Sequence, residues 1–336
     1  MRLRVGLIGL GDFWQTRHAP ALRALSDRFE VRAICDQVRH RAEQAAAGFH
    51  AEAVDGYHVL VQREDIDAVL VLSPQWFREL PILAACDSGK AVYCAAGLEL
   101  APDEAQSIKR RVEEAGIAFV AEFPRRHAPA TLRLKELIAT QLGRPRLLFC
   151  HLRSVIEEPT AGRTESRPDQ TMFRHIIGQV DLCRYVMDCR PTYVTGVMHF
   201  TGEDGKTEDY RMLNLDFSPP GKPGAGPTAQ ISCGRYVPAG WEEAISYRPI
   251  PALQASCENG IAFVDLPTTL VWFDEAGRHQ ESLDSERPLG EILLTNFYRS
   301  VTSLVRRSSD LEDAYLALSV VQAAWRSHEE GRRVEL

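Results

Sequence analysis

The first third of the chain alternates short apolar runs with longer amphipathic ones. Val5, Leu7, Ile8 and Leu10 read as a short buried strand, followed by a turn at Gly9-Leu10-Gly11 and a helix over Gln15–Leu25. Glu30–Asp36 reads as a second strand, and Arg39–Gly48 as an alanine-rich helix. Asp67–Ser73, Ala91–Cys94 and Ile117–Ala121 are further buried strands. Between them lie helices at Glu79–Ser88, closed by Gly89, and at Pro102–Ala115, with Pro102 and Asp103 at its start and Gly116 at its end. Strands that alternate with helices require a parallel, doubly wound sheet. Ligands of such sheets bind beyond the carboxyl ends of the strands. Those ends are Gly9–Asp12, Asp36, Ser73–Arg78, Cys94–Gly97 and Glu122–Arg126.

The pattern then changes. Ala130–Gln141 reads as a helix, Arg146–Arg153 as a longer strand, Glu157–Asp169 as a loop and Thr171–Met187 as a helix. From Thr192 to Phe273 the alternation has the period of strands: Thr192–Phe200, Tyr210–Phe217, Thr228–Tyr236, Ala244–Tyr247, Ala252–Glu258 and Thr269–Phe273. Such runs fit an antiparallel sheet with one face solvated or covered by a partner. Pro219–Pro227 reads as an exposed turn, and Asp310–Glu330 as a final helix ended by Gly331. The expected fold is α/β: an N-terminal Rossmann dinucleotide-binding domain over residues 1–122, then an α+β domain over 123–336 with a large, mostly antiparallel open sheet. The final helix is expected to pack back toward the first domain.

A strand, a glycine turn and a helix N-terminus form an anion site, because glycine lets the backbone approach a pyrophosphate and unpaired N–H groups face it. Gly9, Gly11, Asp12 and Phe13 line that turn. Trp14 stands where the third glycine of Gly-x-Gly-x-x-Gly is usual, so it either tolerates the dinucleotide or plugs its turn. Asp36 ends the second strand, where a carboxylate holds the ribose hydroxyls or merely caps the next helix. NAD is expected in preference to NADP, with Arg39 offering a cation that blunts the preference. Ser73 and Pro74 complete the cofactor set.

Composition narrows the function. The 336 residues suit two domains, and apolar and charged fractions of 45% and 25% are ordinary for a globular protein. A net charge of −7 argues against a nucleic-acid partner. The eight cysteines form no Cys-x-x-Cys pair, so no metal site is expected and reduced core thiols are the better reading. No signal peptide and no membrane-spanning run is legible, and a cytoplasmic location is expected.

Several segments together resemble one family. They are Val5–Asp12, His18–Leu22, Asp65–Pro74, Ser88–Cys94, Asp181–Tyr185 and the closing helix with Gly331–Glu335. In this order they are similar to the glucose–fructose oxidoreductase / inositol dehydrogenase family, Gfo/Idh/MocA. The resemblance implies a nicotinamide-dependent oxidoreductase of sugar-like substrates. It also implies a second domain whose open sheet carries the substrate site on one side and a homo-oligomer contact on the other. His18 would belong to the family's first-helix pattern and pack without chemistry. The departures matter as much. Where the family has Glu-Lys-Pro, this chain has Ala95-Ala96-Gly97. Where it often has Asp, His and Asp along a helix, this chain has Arg174, Gly178 and Asp181, and Arg78 replaces a histidine. A positioned acid or base contributes roughly 10²–10⁴-fold in rate. Alanine and glycine cannot supply it, and arginine stays protonated.

Two functions remain open. One is an NAD-dependent oxidoreductase of a polar, anionic or sugar-like small molecule with an unusual proton-handling group. The other is an inactive relative that senses a dinucleotide or small ligand or serves as a partner subunit. For the first, His175 and Asp181 are the catalytic candidates. His175 alternatively packs at a seam, and Asp181 alternatively pairs with Arg184 or Arg174. Arg78, Arg125, Arg126, His127, Arg174 and Gln179 are the substrate-binding candidates. Guanidinium groups match carboxylate and phosphate bidentately, so gaining arginines while losing a lysine and a histidine points to an anionic ligand. Arg125 and Arg126 facing solvent is the competing reading.

Overall fold

The structure is a computed structural model that describes residues 2–336 except 97, 99, 156–167, 202–206, 242, 248–250 and 304–308. Gly97 and most of the Glu157–Asp169 loop lie outside the described residues. The chain forms two compact units, residues 1–124 with 286–316, and residues 125–285 with 317–336.

The first unit is the doubly wound sheet. Its strands are β1 (Leu3–Ile8), β2 (Phe29–Cys35), β3 (Glu52–Ala53), β4 (Ala68–Val71), β5 (Ala91–Cys94) and β6 (Phe119–Ala121), in spatial order β3-β2-β1-β4-β5-β6. All pairs are parallel. Helices α1 (Ala19–Ala24), α2 (Arg39–Phe49), α3 (Tyr57–Val61), α4 (Pro74–Phe77), α5 (Leu80–Asp87) and α6 (Pro102–Ala115) connect them. Both faces of the sheet are covered, which is why the strands are near-continuous apolar runs. The first helix begins as one π-helical turn, Trp14–His18, before α1.

The second unit begins with α7 (Pro129–Leu137), β7 (Pro145–Val155) and α8 (Pro168–Met187). Next come β8 (Tyr193–Thr201), β9 (Thr207–Asp216) and β10 (Thr228–Val237), then the short helix α9 (Glu243–Ser246). Strands β11 (Leu253–Cys257), β12 (Ile261–Asp265), β13 (Thr269–Asp274) and β14 (Gly277–Ser282) follow. Helices α10 (Leu289–Thr302) and α11 (Ser309–Glu330) and the short β15 (Val334–Glu335) end the chain. The nine strands form one sheet, β14-β13-β12-β11-β7-β10-β9-β8-β15. Among the described residues only β7 and β10 pair in parallel; the other pairs are antiparallel.

One face of this sheet, including Leu148, Cys150, Ala229, Ile231, Leu253 and Ala255, is fully buried. Leu147, Val197 and Phe273, at alternate positions, are exposed on the other. Gly196 of β8 lets α11 close in, since a Cβ there would stand 2.1 Å from the Ala324 carbonyl oxygen. Seven of the eight cysteines are buried and all are reduced.

Two expectations differ from what is seen. Ala244–Tyr247, read as a strand, lies in α9 and the bend after it, since a run of four residues fits one helical turn as well as a strand. Residues 286–316, placed by sequence in the second domain, count with the first unit. Leu293, Leu294 and Phe297 of α10 are buried in the Rossmann core.

Candidate functional site

The glycine turn is built so that only glycine fits. Gly9 and Gly11 have φ of 68° and 60°, the left-handed region. A Cβ on Gly9 would meet Ser73 Cβ at 2.6 Å, and one on Gly11 would meet the Leu72 carbonyl oxygen at 2.3 Å. The turn thus lies directly on the carboxyl end of β4. Asp36 pins it from the other side. Its Oδ2 accepts the Leu10 N–H at 2.9 Å, and its Oδ1 accepts the Val38 N–H at 2.9 Å. The carboxylate is therefore the anchor of the glycine turn and closes a local turn before α2, whose N-cap, Val38, has no side-chain cap. Arg41 stands 3.9 Å from the carboxylate.

Trp14 is buried in the core with its ring 5.7 Å from that of Phe49. The wide π-turn takes its bulk inward, where the usual third glycine would allow close helix–strand packing. Phe13 and Asp12 are exposed, and the Arg17 guanidinium lies 4.2 Å over the Phe13 ring. Ser73 is half-buried beside the turn, and Pro74 opens α4. Arg39 is exposed and held by Glu43 and Asp55.

Behind the turn sits a buried carboxylate whose role the sequence reading missed. Glu122, at the end of β6, accepts the Tyr93 hydroxyl at 2.8 Å and lies 3.1 Å from His18 Nε2. Arg17 donates to its other oxygen. Burial presses this carboxyl toward neutrality, but His18, Arg17 and Tyr93 beside it hold its pKa below the ordinary value. Burial, then Glu122, pushes Tyr93 well above its usual range, so the phenol remains a donor. His18 is packed as expected, but also hydrogen-bonded. The available signal was polar: Tyr93 inside an apolar strand and an acid ending another.

In the second unit α8 sets Arg174, Gly178 and Asp181 on one face. Asp181 is fully buried and held bidentately by Arg126, with Nε to Oδ2 at 2.8 Å. The pair seen is with Arg126, which the sequence reading assigns to substrate rather than to Asp181. Arg125, one residue earlier, turns differently. One guanidinium nitrogen lies 3.8 Å from where a Cβ of Gly178 would be. His175 is pushed down to about 4 by burial, then by Arg125, Arg174 and Arg235. The structure therefore gathers His175, Arg125 and Arg174 and adds Arg235, which the sequence reading did not single out. Gln179 is buried, and its Oε1 has no partner among the described residues. His127 is half-buried on the 3₁₀ turn Pro124–His127. Arg78 is paired with Glu104 at a backbone φ of 55°. No helix among the described residues is long and apolar enough to cross a membrane.

Comparison with known proteins agrees with this geometry. Residues 3–123 match the family described as "Oxidoreductase family, NAD-binding Rossmann fold", GFO_IDH_MocA. An inositol 2-dehydrogenase of Cereibacter sphaeroides is 32% identical over 197 residues, 56% of this chain and 55% of the relative. One of Paracoccus denitrificans is 29% identical over 191 residues, 56% of this chain and 55% of the relative. The chain thus spans about half the length of these curated relatives. The crystal structure of an aldose-aldose oxidoreductase from Caulobacter crescentus shares the fold, with a TM-score of 0.84, 16% identity and 100% of both chains covered. A putative myo-inositol dehydrogenase from Sinorhizobium meliloti 1021 does so at a TM-score of 0.75 and 19% identity, with 99% of both chains covered.

Proposed function

We propose that this chain, whose residues 3–123 match the Gfo/Idh/MocA oxidoreductase family, moves a hydride between a nicotinamide dinucleotide and a sugar-like polar small molecule. The observation that carries this reading is the glycine turn at the carboxyl end of β1, left-handed at Gly9 and Gly11 and packed on Leu72 and Ser73 so that it admits no side chain. NAD is the preferred cofactor, because the Asp36 carboxylate at the turn would repel a 2′-phosphate. Arg41 near it tempers that preference.

Oxidation of a hydroxyl releases a proton, and the family's usual acceptors are absent. His175 is the group in this chain placed to take it: burial and the arginines around it press its pKa down to about 4, so the free imidazole is neutral but a weak base, and it acts only once the bound substrate raises its proton affinity. Homo-oligomerisation through the exposed face of the nine-stranded sheet completes the reading, supported by Leu147, Val197 and Phe273 standing in the open there.

A second reading, a dinucleotide sensor without turnover, draws on Asp181 being locked by Arg126. The test separates them. NADH fluorescence should rise on titration with the protein, and polyols or keto-sugars should then drive an absorbance change that falls by roughly 10²-fold or more in His175→Ala. Binding without turnover of any polyol would favour the sensor. Absence of NADH binding would refute both.

A further inference from the structure

The second unit holds several arginines near buried carboxylates, and the pairing is uneven. Asp181 is taken by Arg126. Glu208 is taken by Arg211 through two hydrogen bonds, at 2.6 and 2.5 Å, with both side chains buried. Arg125 and Arg235 are both half-buried, and neither has a carboxylate or other hydrogen-bond partner among the described residues. A guanidinium withdrawn from water without a counter-ion is unfavourable, so two such groups acting on one histidine invite an anion.

Their placement is defined by backbone. Cys233 and Arg235 are two apart on β10 and so share the face that α8 covers. Arg125 lies over Gly178 of α8, near Cys150, Cys183 and Cys233, where the helix meets β7 and β10. Arg174 is one turn before Gly178 on the same helix face, and His175 lies beside it. Gly178 contributes no side chain, so the space in front of the Arg125 guanidinium is left unfilled from the helix side. Burial lowers the Arg125 pKa from its ordinary value, yet the group keeps its charge at any working pH.

We propose that Arg125, Arg235 and Arg174, set around His175, seat the oxyanion of the substrate, a carboxylate or phosphate carried by a polyhydroxylated molecule. This rests on the oxidoreductase reading of the same site and adds the substrate's chemical class. The anion would anchor one end of a polyol, leaving a hydroxyl to face His175. It would also offset the cationic field that, after burial, helps keep His175 unprotonated, so the base would gain proton affinity when the acidic substrate is present. Arg126 and Arg78, each already held by a carboxylate, are left out of the seat.

The experiment is calorimetric titration of the full chain, without nucleotide, by glucose, gluconate and glucose 6-phosphate. Gluconate or glucose 6-phosphate should bind roughly tenfold or more tightly than glucose, and which of the two binds better identifies the oxyanion. Arg235→Ala should remove that advantage, and Arg235→Lys should restore part of it. Gly178→Glu places a carboxylate in the gap beside Arg125, in ordinary contact and on a helix that gains propensity. It should fold with an unchanged or raised melting temperature and bind neither acid. Glucose binding as tightly as the acids, no binding of either acid, or a folded Gly178→Glu variant that binds them like the unmodified chain overturns the proposal. NADH titration in parallel keeps the premises apart: acid binding without NADH binding sinks the oxidoreductase reading alone, and NADH binding without acid preference sinks the anion seat alone.

Discussion

A methyl group on Gly11 would press on the Leu72 carbonyl oxygen, and the backbone there is already left-handed. Gly11→Ala is therefore expected to weaken NADH binding by roughly tenfold or more, and to lower the melting temperature as the turn lifts off β4. Unchanged NADH affinity in a fluorescence titration would detach this turn from the cofactor. The Arg126–Asp181 pair makes a different demand. Breaking one partner of a buried, bidentate pair costs about 3–5 kcal/mol, so Arg126→Ala should lose much of the stability of the second unit in urea melts. Asp181→Asn should lose less, since an amide still accepts one of the two bonds. His175 titrates far below an unfolded histidine, down to about 4. Below about pH 6.5 the unfolded chain takes up a proton there that the folded chain refuses. The stability His175 confers is thus complete above that pH and falls away as the pH drops toward 4. Replacing His175 by Gln should flatten this part of a stability–pH curve, and an unaltered curve would show the imidazole to be solvated. At this scale the sequence showed which residue types stood near the site but not who held whom. Arg125 and Arg126 are neighbours with opposite fates, because one turn of backbone aims one at Asp181 and the other over Gly178.

Among elements, the strands β1, β2, β4 and β5 and the helices α1, α2, α5 and α6 of the first third were legible, since buried parallel strands must be apolar runs, whereas the short β3, α3 and α4 were not read. The long strands β7, β9 and β10 were legible from their two-residue alternation, one face being buried and the other exposed, and α8 and α11 from their length. Helix α10 was not read at all. Its apolar residues Leu293, Leu294 and Phe297 follow a polar, proline-bearing stretch, and nothing local says which core they enter. Phe297 is fully buried with its ring 5.5 Å from that of Tyr93. Phe297→Ala should cost about 3–5 kcal/mol, measured by chemical denaturation of the whole chain. A loss below about 1 kcal/mol would mean that α10 contributes little to that core. Helix α9 was mistaken for a strand because four residues carry no reliable period. The Glu122 network escaped for a related reason: His18, Tyr93 and Glu122 are far apart in sequence, and only the sheet brings the ends of β5 and β6 to the first helical turn.

For the whole molecule the open sheet makes a claim about assembly. Leu147, Val197 and Phe273 belong to one exposed face, and the proposed oligomer would cover it. Phe273→Glu combined with Leu147→Lys should shift the protein to a smaller species in sedimentation velocity. A monomer before and after the change would remove the oligomer from the proposal. The order in which the chain is synthesised adds a further consequence. Residues up to Pro124 emerge first and contain every strand of the parallel sheet, but α10, which fills that sheet's core, begins only at Leu289. The nascent first unit must therefore wait, with the surface around Tyr93 uncovered, while the whole nine-stranded sheet except β15 is translated. A fragment ending at Pro124 should accordingly bind a hydrophobic dye and aggregate. A synthetic peptide spanning residues 286–303, added in trans, should suppress both. The ribosome, on this view, delivers the helix that closes the first core only after the strands β7 to β14 have emerged.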